Sequence, residues 1–248
     1  LAVLAGVRVE EGVCACEGQR LLAPFARWIT SGRPFVTLKL GQTLDGRIAD
    51  ETGRSRWITG DAARRYVHAL RRRVDAVMVG GGTTRLDNPS LLPIPSRGRK
   101  PWRVIVSASG QIPMQSRVLS DGRQAQTLLA TTAACPTSRR QRLQKRGIHV
   151  LTLRRRGGGV DPDALLKTLG GMGVLHVLCE GGGELAGALL RGRHVDEFLF
   201  FIAPRVLGAR AVPAIGGAGW KLAAAPHLRF GDIVRVGEDV LVCAHRED

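Results

Sequence analysis

Glu180 stands between an apolar run, Val174-Leu175-His176-Val177-Leu178, and three glycines, Gly181-Gly182-Gly183, which open the helix-forming stretch 184–190. A strand, a glycine turn and a helix start leave unpaired N–H groups aimed at whatever docks there. Glycines let the backbone approach that ligand closely and take positive φ. A phosphate or pyrophosphate is the natural guest, and a tight structural turn is the plain alternative. A second glycine turn, Gly80-Gly81-Gly82-Thr83-Thr84, follows the buried run Asp75-Ala76-Val77-Met78-Val79. In parallel sheets ligands bind beyond the carboxyl ends of strands, so two such turns would line one cleft. Lys39 interrupts the alternating run Val36, Leu38, Leu40 and therefore points to the opposite face, on the side of Gly41. Its amine either serves chemistry or snorkels to solvent. Trp57, in the polar stretch Ser55-Arg56-Trp57-Ile58-Thr59, offers a flat face to a planar ring or anchors the core. Asp45-Gly46 and Asp87-Asn88-Pro89 read first as turns.

Other chemistries find less support. Gly181, Gly183 and Ala186 can be placed on a dinucleotide fingerprint, but its acid should end the next strand, whereas Asp196 and Glu197 precede it. No H-x-x-x-H, G-x-S-x-G or Walker pattern occurs, and the six histidines are scattered. Five cysteines without a C-x-x-C fit reduced thiols in a cytoplasmic protein better than a disulfide framework or a zinc cage.

The elements that must position these residues alternate. Strands are predicted over 34–40, 75–79, 102–106, 127–130, 149–153, 174–178, 198–202 and 240–244. A helix is predicted over 61–72, with Asp61 as cap and Tyr66, Val67 and Leu70 as apolar face. Another runs from the Asp161 cap, with Pro162 at its first position, through Leu169. Alternation argues for an α/β fold with a mainly parallel sheet, finished by antiparallel strands at the C-terminus. Residues 93–101 and 154–159 read as loops, and 1–31 share no clear pattern with the rest.

The 248 residues, 44% of them hydrophobic, suffice for one large domain or two small ones. No apolar run spans a bilayer. The chain begins at Leu, which suggests a fragment whose natural start lies upstream. A net charge of +16 admits a basic nucleic-acid-binding module. Arginines spread along the whole chain and an aromatic content of 4% argue against specific nucleic-acid binding.

Taken in order, the motifs resemble a known family. They are Gly32-Arg33-Pro34-Phe35-Val36-Thr37-Leu38-Lys39-Leu40-Gly41-Gln42-Thr43-Leu44-Asp45-Gly46-Arg47, then Ser55-x-Trp57-Ile58-Thr59, then Val79-Gly80-x-Gly82-Thr83, then Leu86-Asp87-x-Pro89-x-Leu91. Glu180-Gly181-Gly182, Val195-Asp196-Glu197 and Ile202-Ala203-Pro204-x-Val206-Leu207-Gly208 complete the set. The pattern is similar to the reductase domain of the bifunctional pyrimidine deaminase/reductase of riboflavin biosynthesis, over residues 32–248. Residues 1–31 look like the tail and linker of the deaminase domain, whose zinc signature is absent here. The resemblance implies a dihydrofolate-reductase-like fold, a homodimer, and NADPH-dependent reduction of the ribosyl group of 5-amino-6-(5-phosphoribosylamino)uracil to the ribityl chain. It places Gly41, Trp57, Thr83, Asp87, Ser107, Gly182, Gly183, Glu184, Leu185, Ala186, Gly187 and Ala188 at NADPH. It places Ser55, Arg71, Leu91 and Glu180 at the phosphorylated pyrimidine substrate. Lys39, by its strand face, is the candidate catalytic group at the ribose. The strand 198–202 with Ala203-Pro204 is expected to supply a sheet edge for the dimer.

Two departures stand out. Ile94 occupies the place of an arginine that family members use for the substrate phosphate, which leaves Arg97 or Arg99 as replacements, or a different substrate for a reductase of the same fold. Val106-Ser107-Ala108-Ser109-Gly110 lacks the arginine of the family's Asp-Ser-x-x-Arg.

Overall fold

A computed structural model describes residues 10, 12–96, 98 and 100–247. Its first element is α1 (Ala15–Ser31). Leu21, Leu22, Phe25, Trp28 and Ile29 recur there at helical spacing, yet none of its residues is buried, so this stripe meets no core. Tertiary contacts hold it instead: Trp28 Nε1 donates to the Gly170 carbonyl at 3.0 Å, and Arg27 pairs with Asp196 at 3.2 Å. Gly32 ends the helix at φ 66°.

Then follow β1 (Phe35–Thr43), β2 (Arg47–Ala49), α2 (Asp61–Arg71), β3 (Ala76–Gly80), α3 (Gly81–Asp87), β4 (Trp102–Val106), α4 (Arg117–Ser120), β5 (Thr127–Thr131), α5 (Thr137–Lys145) and β6 (His149–Thr152). The second half adds β7 (Arg155–Arg156), β8 (Gly159–Val160), α6 (Pro162–Gly171), β9 (His176–Cys179), α7 (Gly183–Arg191), β10 (Glu197–Ala203), β11 (Val212–Pro213), β12 (Leu228–Val236) and β13 (Asp239–Arg246).

One sheet of nine strands runs β12-β13-β10-β1-β9-β3-β4-β5-β6. From β10 to β6 every neighbour is parallel, and β13 and β12 close one side antiparallel. The fold is thus the expected α/β arrangement with antiparallel C-terminal strands. Helices on both faces explain why β3 and β5 read as continuous apolar runs. On one face α6 and α7 bring Leu165, Leu169, Ala186 and Leu189 against Val36, Leu38, Leu40 and Val177. On the other, α2 packs Ala63 and Val67 against Leu199, Phe201 and Leu241.

Several expectations need correction. The strand at 198–202 is no edge: β10 is hydrogen-bonded on both sides, to β1 and β13. The open edge on that side of the sheet is β12, one strand beyond β13; it exposes Phe230, Ile233 and Val234. Sequence runs show apolarity, not which neighbour a strand pairs with. Asp61 is the first residue of α2 and Gly60 is the cap; the Gly60 N–H donates to Asp239 at 2.8 Å. The glycines after β3 form no separate turn, because α3 begins at Gly81 directly. The loop expected at 154–159 contains the small hairpin β7–β8. By contrast, Asp161 caps α6 as expected, accepting from the Asp163 N–H at 3.0 Å. No helix among the described residues is long and apolar enough to cross a membrane.

Candidate active site

Sheet order decides the site. β1, β9 and β3 are adjacent and parallel, so their carboxyl ends open together. β1 supplies Lys39 and Gly41. The segment after β9 supplies Glu180 and Gly182, and α3, continuing β3, supplies Thr83 and Asp87. A cavity of about 340 Å³ lies there. Lys39, Gly41, Ser55, Trp57, Arg71, Thr83, Asp87, Leu91, Glu180 and Gly182 all line it.

At its floor, Arg71 reaches from the end of α2 to Glu180. Nε donates to Oε1 at 2.5 Å and Nη2 to Oε2 at 2.6 Å, a bidentate pair. Both side chains are only 11% exposed. The third guanidinium arm donates from Nη1 to the Leu92 carbonyl at 2.9 Å, tying the pair to the loop after Leu91. Burial opposes a charge on Glu180, but the contact with Arg71, helped by Lys39, outweighs it and holds the carboxyl below its usual range.

Lys39 sits over the Phe201 ring, 5.6 Å from its centroid, on the face opposite Leu38 and Leu40. The sequence alternation placed it there. Burial lowers its pKa; Glu180 partly opposes this and Arg71 adds to it. His68, half-buried on the same wall, is also held below its usual pKa, by burial and then by Arg71.

At the mouth, the Ser55 hydroxyl donates to Asp87 Oδ1 at 2.6 Å, and Arg56 donates to the Asp87 carbonyl. Trp57 is 60% exposed, so it is not a core anchor. Its ring lies 4.4 Å from the Arg64 guanidinium and 5.6 Å from that of Arg56.

The glycines do specific work. Gly181 and Gly182 hold φ 84° and 95°, and a Cβ on Gly182 would sit 3.1 Å from Thr83 Oγ1. The first α7 bond is Ala186 N–H to Gly182 O, so the N–H groups of Gly183, Glu184 and Leu185 have no partner inside the helix. Past that start the run turns inward. Leu185 and Ala186 join the core, and a Cβ on Gly187 would lie 2.1 Å from the Gly216 carbonyl oxygen. Glu184 is exposed and Ala188 half-buried. Gly183, Glu184, Leu185, Ala186, Gly187, Ala188 and Ser107 lie outside the cavity walls. Ser107 is buried beyond β4, against the start of α3.

Sequence reasoning missed Arg64 and His68, which line the cavity with Arg71. The signal existed: positions 64, 68 and 71 share one helical face. Ile94 is 65% exposed and its carbonyl accepts from Arg72 Nη1 at 3.1 Å. Arg97 and Arg99 lie outside the described residues.

Residues 34–242, which include every residue lining this cavity, match the RibD C-terminal domain. The chain belongs to the RibD C-terminal domain family. The RibD riboflavin biosynthesis protein of Bacillus amyloliquefaciens is 34% identical over 98% of this chain, which spans 66% of that relative's length. The structure of Acinetobacter baumannii RibD superposes with TM-score 0.84 at 27% identity, covering 100% of this chain and 67% of that one. A deaminase/5-amino-6-(5-phosphoribosylamino)uracil reductase of Thermotoga maritima superposes with TM-score 0.79 at 29% identity, over 97% of this chain and 64% of that one. For a member of this family, the cleft over β1, β9 and β3 is the place to seek chemistry.

Proposed function

We propose that this chain is an NADPH-dependent reductase that converts the ribosyl group of 5-amino-6-(5-phosphoribosylamino)uracil to the ribityl chain. The observation that carries the reading is the convergence of Lys39, Arg71 and Glu180 beside the Gly182–Thr83 cradle. The Thermotoga relative bears the name of that reductase.

The residues present fit the cofactor. Gly182 leaves open the space beside Thr83 that any Cβ would fill, and the α7 start offers three N–H groups with no partner inside the helix. Gly41, Trp57, Thr83, Asp87 and Gly182 would hold it from the walls, with the α7 start fronting its phosphates and Ser107 lying farther along the sheet. When bound, NADPH would supply the hydride for the sugar C1. The chain supplies position and a proton. Glu180, ionised and clamped by Arg71, accepts hydrogen bonds from ribose hydroxyls. Lys39, its pKa lowered by burial, gives up a proton more readily than an exposed lysine and would protonate the ring oxygen released as the sugar opens. Ser55, Leu91 and Arg71 complete the substrate wall.

Residues 32–248 carry this activity, and 1–31 belong to the tail and linker of an upstream deaminase domain in a cytoplasmic parent chain. The homodimer that goes with this reading would use β12, where the exposed apolar residues lie, rather than β10. The test is NADPH oxidation with the deaminated pyrimidine substrate, beside its unphosphorylated analogue. Tight NADPH binding without turnover of either would sink the reading. Ile94 favours one second reading, the same reduction on a related substrate; preference for the unphosphorylated analogue would select it.

A further inference from the structure

We infer that Arg72 reads the phosphate of the substrate, an inference that rests on the proposed reaction. A phosphate dianion needs a cation whose charge is not already spent. Arg71 is committed to Glu180, and Lys39 is half-buried over the Phe201 ring with its pKa lowered by burial. Arg64 pairs with Asp61, and Arg56 is tied to Asp87. Arg72 differs: among the described residues no carboxylate pairs with it.

Its place is fixed from two sides. Arg72 caps the C-terminus of α2 one residue after Arg71. Its Nη1 donates to the Ile94 carbonyl at 3.1 Å, as Arg71 Nη1 donates to the Leu92 carbonyl at 2.9 Å. Neighbouring arginines thus hold successive parts of one loop: Arg71 lines the cavity, and Arg72, outside its walls, is exposed one residue further on. Arg72 also acts electrostatically on His68, which lines the cavity. One Arg72 arm is used on Ile94, and the exposed remainder of the fork can take a phosphate oxygen. A purely structural role also exists, since a cation at a helix C-terminus stabilises the helix. The experiment must separate the two.

Arg72→Gln and Arg72→Lys are assayed with the phosphorylated substrate and its unphosphorylated analogue. Binding of ribose 5-phosphate and of ribose is measured by calorimetry without cofactor. Arg72→Gln is expected to raise KM for the phosphorylated substrate and weaken ribose 5-phosphate roughly tenfold, the weight of one charge-assisted hydrogen bond. The unphosphorylated partners should change by less than about twofold, Arg72→Lys should recover part of the loss, and the melting temperature should hold. Equal effects on both members of each pair, or none, overturn the inference. If neither substrate turns over yet Arg72→Gln weakens ribose 5-phosphate alone, the phosphate assignment stands and the proposed reaction falls.

Discussion

Glu180→Gln separates substrate work from cofactor work. The Arg71–Glu180 contacts of 2.5 and 2.6 Å join side chains that are 11% exposed. Removing one charge leaves the Arg71 guanidinium buried beside a neutral amide. Breaking such a pair costs about 3–5 kcal/mol. Glutamine keeps the shape and one acceptor, so the lower end applies, about 3 kcal/mol. In a chain of this length that lowers the melting temperature by about 6–12 °C. Turnover should drop at least about a hundredfold, because the anionic acceptor for the sugar hydroxyls becomes a neutral amide and Lys39 loses the largest influence opposing its deprotonation. NADPH affinity should stay within about twofold, since its cradle is built from Gly182, Thr83 and the α7 start. Scanning calorimetry, cofactor titration and steady-state kinetics supply the three readings. A loss of NADPH affinity equal to the loss of turnover would move Glu180 to the cofactor side. An unchanged melting temperature would refute the pair as a buried ion pair. Replacing both partners, Arg71→Met with Glu180→Leu, should recover part of the stability and none of the turnover.

Other outcomes can be checked independently. Lys39→Met should abolish turnover while NADPH still binds; in the parent enzyme the alkaline limb of kcat should lie below the ordinary lysine range, because burial lowers the Lys39 pKa, and Glu180→Gln should move it lower still. His176 is half-buried against Thr37, and burial lowers its pKa to about 4. Below its unfolded value of about 6.5 the unfolded chain takes up the proton first, so stability present above that pH is lost as pH falls toward 4, by about 3 kcal/mol in all. His176→Asn should flatten that part of the stability–pH curve measured by denaturant titration. Gly187→Ala should destabilise by about 1–3 kcal/mol in the same assay, because its Cβ would lie 2.1 Å from the Gly216 carbonyl oxygen. An unaffected variant would show that the 216 segment yields freely.

Much of the fold was legible from short-range pattern. β3, β4 and β5 stand where apolar runs placed them, because a strand buried on both faces is mostly apolar, the buried Arg103 of β4 being an exception held by Asp121. Asp161 with Pro162 marked the start of α6 by local capping chemistry alone. Lys39 could be assigned its face because side chains alternate with period two. Other elements were missed. In α1 an apolar stripe at Leu21, Leu22, Phe25, Trp28 and Ile29 could have been read, but it buries nothing, and the helix is held by distant partners of Trp28 and Arg27. β12, exposed over most of its length, lacks the alternation of a half-buried strand.

The candidate site divides along the same line. Residue types and spacing by themselves determined the glycine start of α7, the face of Lys39 and the carboxylate before the glycines. Only the tertiary structure decided that β1, β9 and β3 lie side by side, although β9 follows β1 by more than a hundred residues. That order brings Arg71 onto Glu180, withdraws Leu185 and Ala186 into the core, and puts β10 in the interior of the sheet. The reason is physical: periodicity reports whether a side chain meets water or protein, whereas the partner it meets is chosen by strand order and packing across the whole chain.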